Sequence, residues 1–415
     1  MAAFRLYLPP ALGVPRFRLY ALGHGVSVIG GWIQQVALSW LVYRLTGSVL
    51  LLGVTGFIQQ IPFLLLGPFA GTIVDRLPRM KLLIAIDLAL ASAALITALL
   101  IWSGVTDVRA YLVIAAIMGC LNAFEMPTRQ TLVSEIIDDR SLLPSALAMS
   151  ATLFNTGRLI GPAIAGLLLI YVSEAWCFVL NAMSYAAIIA ALVAMKLPRR
   201  APSASTSSRS GVAQSLVYLT RLPQVRLLLP LMISVGLFGV PYVHLMPSIA
   251  HIFFNGESGT LGLLMSASGL GALLSAGYLS MQRSSALQAW LLGIMPAVLG
   301  ATLIVFAANR SFTIGLLLMM VIGAAIVVCA NSTNILLQQS VPDEWRGRVI
   351  GLYAMSFQGT APLGHLLAGS IAAKIGLGPT LMLNGAVILA VALATRWRFR
   401  QQPEVMERLG HPHNA

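Results

Sequence analysis

The sequence predicts an all-α membrane protein: twelve transmembrane helices in two pseudo-symmetric six-helix bundles. Three observations carry that prediction. Of 415 residues, 58% are hydrophobic and only 9% are charged, where soluble domains carry roughly a quarter charged residues. The apolar runs are apolar on all sides, not along one stripe as in a soluble amphipathic helix, and many exceed about 18 residues. Related residues also recur at one constant spacing between the two halves of the chain.

In order, the candidate spans are 19–43, 49–74, 80–103, 109–133, 143–171, 175–196, 225–252, 258–281, 287–307, 312–337, 347–373 and 378–398. Each is long enough to cross about 30 Å of hydrocarbon. No segment alternates as a membrane barrel strand does. Residues 197–223, LPRRAPSASTSSRSGVAQSLVYLTRLP, break the pattern with Pro, Ser and Arg and read as a linker. Within it, QSLVYLTRL suits a short interfacial helix. This divides the chain into an N-terminal bundle, 1–196, a linker, 197–223, a C-terminal bundle, 224–400, and a polar tail, 401–415.

The net charge of +13 is not a nucleic-acid footprint, because the basic residues punctuate apolar segments instead of gathering on one soluble face. They carry topology instead. With both termini on one side, that side holds 20 Lys and Arg, the other holds four (Arg44, Arg109, Arg310 and Lys374), and Arg129 and Arg158 lie within spans. The bias places both termini and the linker in the cytoplasm of a bacterial inner membrane. No removable signal peptide is evident, so the first span serves as its own insertion signal. Cys120, Cys177 and Cys329 have no metal-ligand spacing and read as small buried hydrophobes. No GxxxxGK[ST] loop is present, so no nucleotide partner is expected. No cofactor and no metal site are expected either.

The internal repeat has an offset of 206. Gly71 maps to Gly277, Arg140 to Arg346, and Ala148-Met149-Ser150 to Ala354-Met355-Ser356. The matches fall in corresponding loop regions, which supports a duplicated six-helix unit with a binding site between the halves.

One loop stands out. Gly71-Thr-Ile-Val-Asp75-Arg76-Leu-Pro-Arg79-Met80-Lys81 joins spans 2 and 3. A positive-inside loop explains Arg76, Arg79 and Lys81 but not Asp75, nor Gly71 one helical turn before it. There glycine would let a second backbone approach the carboxylate. The stretch resembles the GxxxDRxxRR signature of the major facilitator superfamily, with Met80 and Lys81 as a small departure. That resemblance implies a conformational latch in which Asp75 docks against the start of span 11, near Arg346-Gly347, and steadies an outward-open state. In the second half Met281 and Gln282 stand where the first half has Asp75 and Arg76.

Two further stretches agree. Gly157-Arg-Leu-Ile-Gly161-Pro162-Ala-Ile-Ala165-Gly166 in span 5 resembles the gxxxGPxxGG antiporter motif, with Ala165 replacing one glycine. Its physical content is close helix packing through small residues and a kink at Pro162. It reads equally as plain packing or as part of coupling. Asn122-Ala-Phe-Glu125-Met-Pro127-Thr-Arg129-Gln130, with LVYRLTGS after span 1, is similar to an exporter subgroup holding enterobactin exporters and macrolide efflux pumps. The Arg that many drug–proton antiporters carry early in span 4 is absent, since Ala115 and Ala116 occupy that region.

Four charges lie inside spans: Asp87, Glu125, Arg129 and Arg158. Each costs at least ~2.5–3.5 kcal/mol at mid-membrane, so each needs a partner or a wet cavity. Glu125 and Arg129 are i and i+4 and can pair. Either the pair is static or Glu125 exchanges a proton, with Arg158 as its alternative partner. Arg158 is alternatively an anion-binding group for substrate. Asp87, six residues past Lys81, is expected to sit shallow and pair with the loop arginines.

In the resembled family, spans 1, 4, 7 and 10 line the cavity. The offset pairs Glu125 with Asn331, and the resemblance sets them facing each other across that cavity. Trp32, Gln34, Gln35, Asn122, Tyr242, His244, Asn331 and Asn334 are the substrate-cavity candidates, each of which alone suits packing or an interhelical bond better than substrate contact. A mostly apolar cavity with a few polar handles suits an amphiphilic organic solute. The sequence therefore predicts a monomeric, non-enzymatic secondary transporter with a small-molecule substrate, protons and the bilayer as its partners. Its expected activity is proton-coupled export by rocking of two bundles. Alternatives are the same fold moving lipid or importing a nutrient, and a non-transporting sensor or scaffold.

Overall fold

In the computed structural model the described residues are 9–74, 76–195, 222–282 and 284–401. Asp75, nearly all of the linker and the tail after Gln401 lie outside them. Among the described residues every regular element is helical. The first half holds α1 Pro15–Thr46, α2 Val49–Val74, α3 Arg79–Trp102, α4 Val108–Ile136, α5 Leu143–Tyr171 and α6 Glu174–Ala194. The second holds α7 Pro223–Ser234, α8 Tyr242–Phe254, α9 Ser258–Met281, α10 Ser285–Leu292, α11 Met295–Ala308, α12 Phe312–Gln339, α13 Asp343–Phe357, α14 Ala361–Ile375 and α15 Leu377–Gln401.

Among the described residues fifteen α-helices make twelve crossings because three crossings are broken, each where the sequence removes a backbone donor or admits a glycine. Crossing 7 is interrupted between α7 and α8 by a π turn, Val235–Gly239, followed by Pro241. Crossing 9 breaks at Gly293 and resumes with Pro296 in the first turn of α11. Crossing 11, expected as one run over 347–373, stops at Phe357 and restarts at Ala361, with Pro362 at the new N-terminus. Thr360 Oγ1 satisfies the freed Ser356 carbonyl at 2.7 Å. Consequently eleven described helical stretches are long and apolar enough to span alone, and the eleventh crossing is shared between α13 and α14.

The LTGS of the exporter-like motif is a helix stop and restart. Gly47 adopts φ +60°, a conformation that disfavours other residues. Thr46 Oγ1 donates to Val42 O at 2.7 Å, and Ser48 Oγ accepts from the Leu51 N–H in the first turn of α2.

The helices pack by contacts into two compact units. One comprises the described residues of Met1–Leu38 and Leu65–Ser205, the other those of Ser39–Leu64 and Thr206–Ala415. In the first, α3 packs on α4 and α6. Its inner face buries Leu83, Ile86, Leu90, Ala94 and Ala98 while Leu88, Leu95, Ile96 and Leu99 stay exposed. That apolar outer face matches a lipid surround. Trp102 and Trp176, both half-exposed, meet edge-on at 5.5 Å where α3 ends and α6 begins, as interfacial aromatics do. In the second unit α9 and α12 cross through small residues: a methyl at Gly271 would strike the Met320 carbonyl, and one at Gly323 the Ser268 carbonyl.

Candidate functional site

The first unit buries a charged cluster built from three helices. His24 lies nine residues into α1, Asp87 eight residues into α3, and Arg129 seven residues before the end of α4. At 1.5 Å per residue these are all about 10–14 Å from the same membrane side, because α3 and α4 run antiparallel. Pro127 sits inside α4 two residues before Arg129. It leaves the Ala123 carbonyl without its helical donor. Thr128 and Thr131 hydroxyls then donate to the carbonyls of Phe124, at 2.6 Å, and Pro127, at 2.8 Å.

Arg129 is the hub. Its Nε donates to Glu125 Oε1 at 2.7 Å, and its Nη2 bonds the same carboxylate. Nη2 also donates to Asp87 Oδ1 at 3.1 Å. Nη1 meets His24 Nδ1 at 2.7 Å. Guanidinium only donates, so His24 accepts at Nδ1 and is a neutral ring with its proton on Nε2. That ring stacks on Tyr20, centroids 5.3 Å apart. Asp87 is 0% exposed, Arg129 is 8% exposed, and the Glu125 side chain is 16% exposed. Asp87 Oδ2 is buried with no hydrogen-bond partner among the described residues. Fully ionised, the cluster holds two negative charges against one positive.

This corrects one expectation. Asp87 is not shallow and does not pair with the loop arginines; it is sealed against Arg129. The loop arginine Arg79 instead pairs with Glu135 at the end of α4. The α3 phase turns Asp87 toward α4, away from the membrane edge. Tyr20, His24 and Glu135 lie outside the motifs that the sequence displays. The signal available for His24 was a titratable ring at the depth of Arg129.

The α5 motif packs on α1. A Cβ at Gly157 would lie 2.5 Å from Val28 Cγ1, and one at Gly161 2.5 Å from Trp32 Cβ, so both glycines permit that approach. Pro162 and Gly166 are buried in the same helix, and Arg158 is half-buried between the two tight glycines.

The cavity candidates divide. Gln34 is buried, donates to Met118 Sδ at 3.2 Å and accepts from Asn181 Nδ2 at 2.7 Å, an interhelical bridge. Tyr242 is buried with its hydroxyl 2.7 Å from Ser268 Oγ. His244 is buried edge-on to His365, centroids 4.4 Å apart, with Gly56 of α2 pressed on both rings. Trp32 and Gln35 are half-buried, and Asn334 accepts from Gln338 Nε2 at 3.0 Å. Asn122 and Asn331 are exposed.

In the loop motif, Arg76 and Lys81 are exposed, and Asp75 lies outside the described residues. A Cβ at Gly71 would meet no described atom within 4 Å. Cys177 and Cys329 are buried as expected, but Cys120 is exposed. It continues the exposed stripe of Val113 and Ile117 on α4 and so lies outside the packed core.

Residues 10–411 match the family model described as "Transmembrane secretion effector". Among curated proteins, the staphyloferrin A transporter of Staphylococcus aureus is 25% identical over 396 residues, covering 92% of this chain and 96% of its own. The multidrug efflux pump Tap of Mycolicibacterium fortuitum is 28% identical over 365 residues, covering 85% and 88%. The macrolide efflux protein A of Streptococcus pyogenes is 23% identical over 387 residues, covering 89% and 93%. Among solved structures, the nucleoside transporter NupG superposes with a TM-score of 0.71 at 14% identity, covering 93% of this chain and 99% of that one. A peptide transporter, POT, superposes at 0.72 with 13% identity, covering 95% of each. The twelve-crossing helical fold and this family match together make the chain a multi-pass membrane transporter, not an enzyme, and it belongs to the efflux subgroup of the major facilitator superfamily.

Proposed function

We propose that this protein exports an amphiphilic small molecule across the bacterial inner membrane, driven by proton entry, through alternating access of two six-helix bundles. The observation that carries the reading is the buried cluster on Arg129. It holds one more acid than base in a region where an uncompensated charge is costly. A single proton bound there neutralises it, so proton uptake and release convert between a neutral and a charged interior.

Relatives named for a siderophore, for macrolides and for multiple drugs support export of an amphiphile over import of a sugar or ion. The apolar character of the spans, relieved by a few amides, fits such cargo. Both termini face the cytoplasm in this reading, on the strength of the Lys and Arg bias. Asp75, with Arg76, Arg79 and Lys81, serves as the latch that steadies one of the two access states. The protein acts as a monomer.

An efflux screen in a pump-deficient bacterial host tests this reading. Wild type should lower accumulation of at least one amphiphilic dye or macrolide, Asp75→Asn should weaken that effect, and Glu125→Gln should abolish it. Normal efflux by the two variants would leave a transporter driven otherwise, not one coupled through this acid.

A further inference from the structure

Resting on the proton-coupled reading above, we propose that the transported proton is bound by Asp87 Oδ2 on α3, and that Glu125 is the permanent anion that forces it there. The two carboxylates compete for one guanidinium group, and they compete unequally. Glu125 receives two bonds from Arg129, through Nε and Nη2, and its side chain retains some exposure. Asp87 receives one, at 3.1 Å, and has none. Its second oxygen faces no donor among the described residues.

The groups packed around Asp87 come from α1, α4 and α6. From α1 come His24, already spent as an acceptor from Arg129, and Tyr20 stacked behind it. From α4 come Glu125 and Arg129 themselves. From α6 comes Tyr185, and the same buried core holds Leu83, Ile86 and Leu90 of α3, Met118 and Leu132 of α4, and Ile188 of α6. An ionised carboxylate with a bare oxygen in such a place is costly. A neutral carboxylic acid keeps the Oδ1 bond to Arg129 and removes the excess charge. Glu125 then pairs with Arg129 one to one. Release of the proton recreates two anions on one cation, a strained state that favours rearrangement of α3 against α4.

The atom holding the proton can be read without mutation. Three preparations of the purified protein in lipid, unlabelled, 13C-carboxyl-aspartate-labelled and 13C-carboxyl-glutamate-labelled, are compared by infrared difference spectroscopy as pH is raised from neutral. The expected result is a protonated-carboxyl C=O band that disappears at alkaline pH, shifts with aspartate labelling, is unmoved by glutamate labelling, and is absent in Asp87→Asn. A band that shifts with glutamate labelling puts the proton on Glu125: the proposal falls while proton coupling stands. Absence of any titrating protonated-carboxyl band removes both this proposal and proton binding by the cluster. The labelled wild type decides even if Asp87→Asn fails to fold.

Discussion

Asp87 and Arg129, 42 positions apart in sequence and on different helices, are joined by a 3.1 Å hydrogen bond with the carboxylate fully buried. The bond ties α3 to α4 at the same point where Glu125 and His24 also meet the guanidinium group. One side chain thus holds three helices together and sets the charge balance of the bundle interior.

Arg129→Ala should therefore be severely destabilising. It strands two buried or half-buried acids, and breaking a buried pair typically costs about 3–5 kcal/mol. The check is thermal midpoint in detergent by fluorescence-detected size exclusion, with a large fall expected. Arg129→Lys, which keeps the charge but loses the fork, should fall less. Replacing Asp87, Glu125 and Arg129 together with leucine should recover most of the loss, since apolar packing commonly matches a buried ionic cluster.

Gly161→Ala and Gly71→Ala should part company. The first places a methyl 2.5 Å from Trp32 Cβ and should cost about 1–3 kcal/mol as an overpacked contact. The second meets open space near a helix end and should be neutral or stabilising by up to ~1 kcal/mol from helix propensity. Thermal midpoints of the two variants check the contrast. A loss of transport in Gly71→Ala with stability intact would mark a close approach made only in the other access state.

Asn181→Ala should destabilise by about 1–3 kcal/mol, because it leaves the buried Gln34 carbonyl without its donor. Asn181→Asp should do worse, since it turns that donor into an acceptor opposite another acceptor. The same midpoint measurement applies, and binding of an amphiphilic dye should be unchanged per folded molecule if Gln34 serves structure and not cargo.

The spans were legible because lipid leaves a long, all-round apolar signature. The breaks at Gly293 and at Gln358–Thr360 were less so, since a glycine or threonine inside an apolar run does not announce whether the helix continues. The Glu125–Arg129 pair followed from i, i+4 spacing. Asp87 reads from the sequence as a charge needing a partner, but its nearness to Lys81 in the chain points to the loop arginines and not to Arg129. Depth counted from helix ends would have set it level with Arg129. The tight glycines of α5 were visible as a pattern, but that they face Val28 and Trp32 depends on helix rotation, which spacing alone does not fix. Polar residues in spans such as Gln34 and His244 invite a cavity reading, and spacing alone does not show that both are buried against neighbouring helices.

The most direct measurement of the central claim is uphill dye transport in everted inner-membrane vesicles from a pump-deficient host, with an imposed pH gradient, acid inside. Ethidium is the probe. Wild-type vesicles should accumulate it against its gradient and release it when a protonophore collapses the pH difference. Glu125→Gln vesicles should only equilibrate it, because Asp87 and Arg129 then balance without a proton. Accumulation indifferent to the protonophore, or full uphill accumulation by Glu125→Gln, would contradict the account.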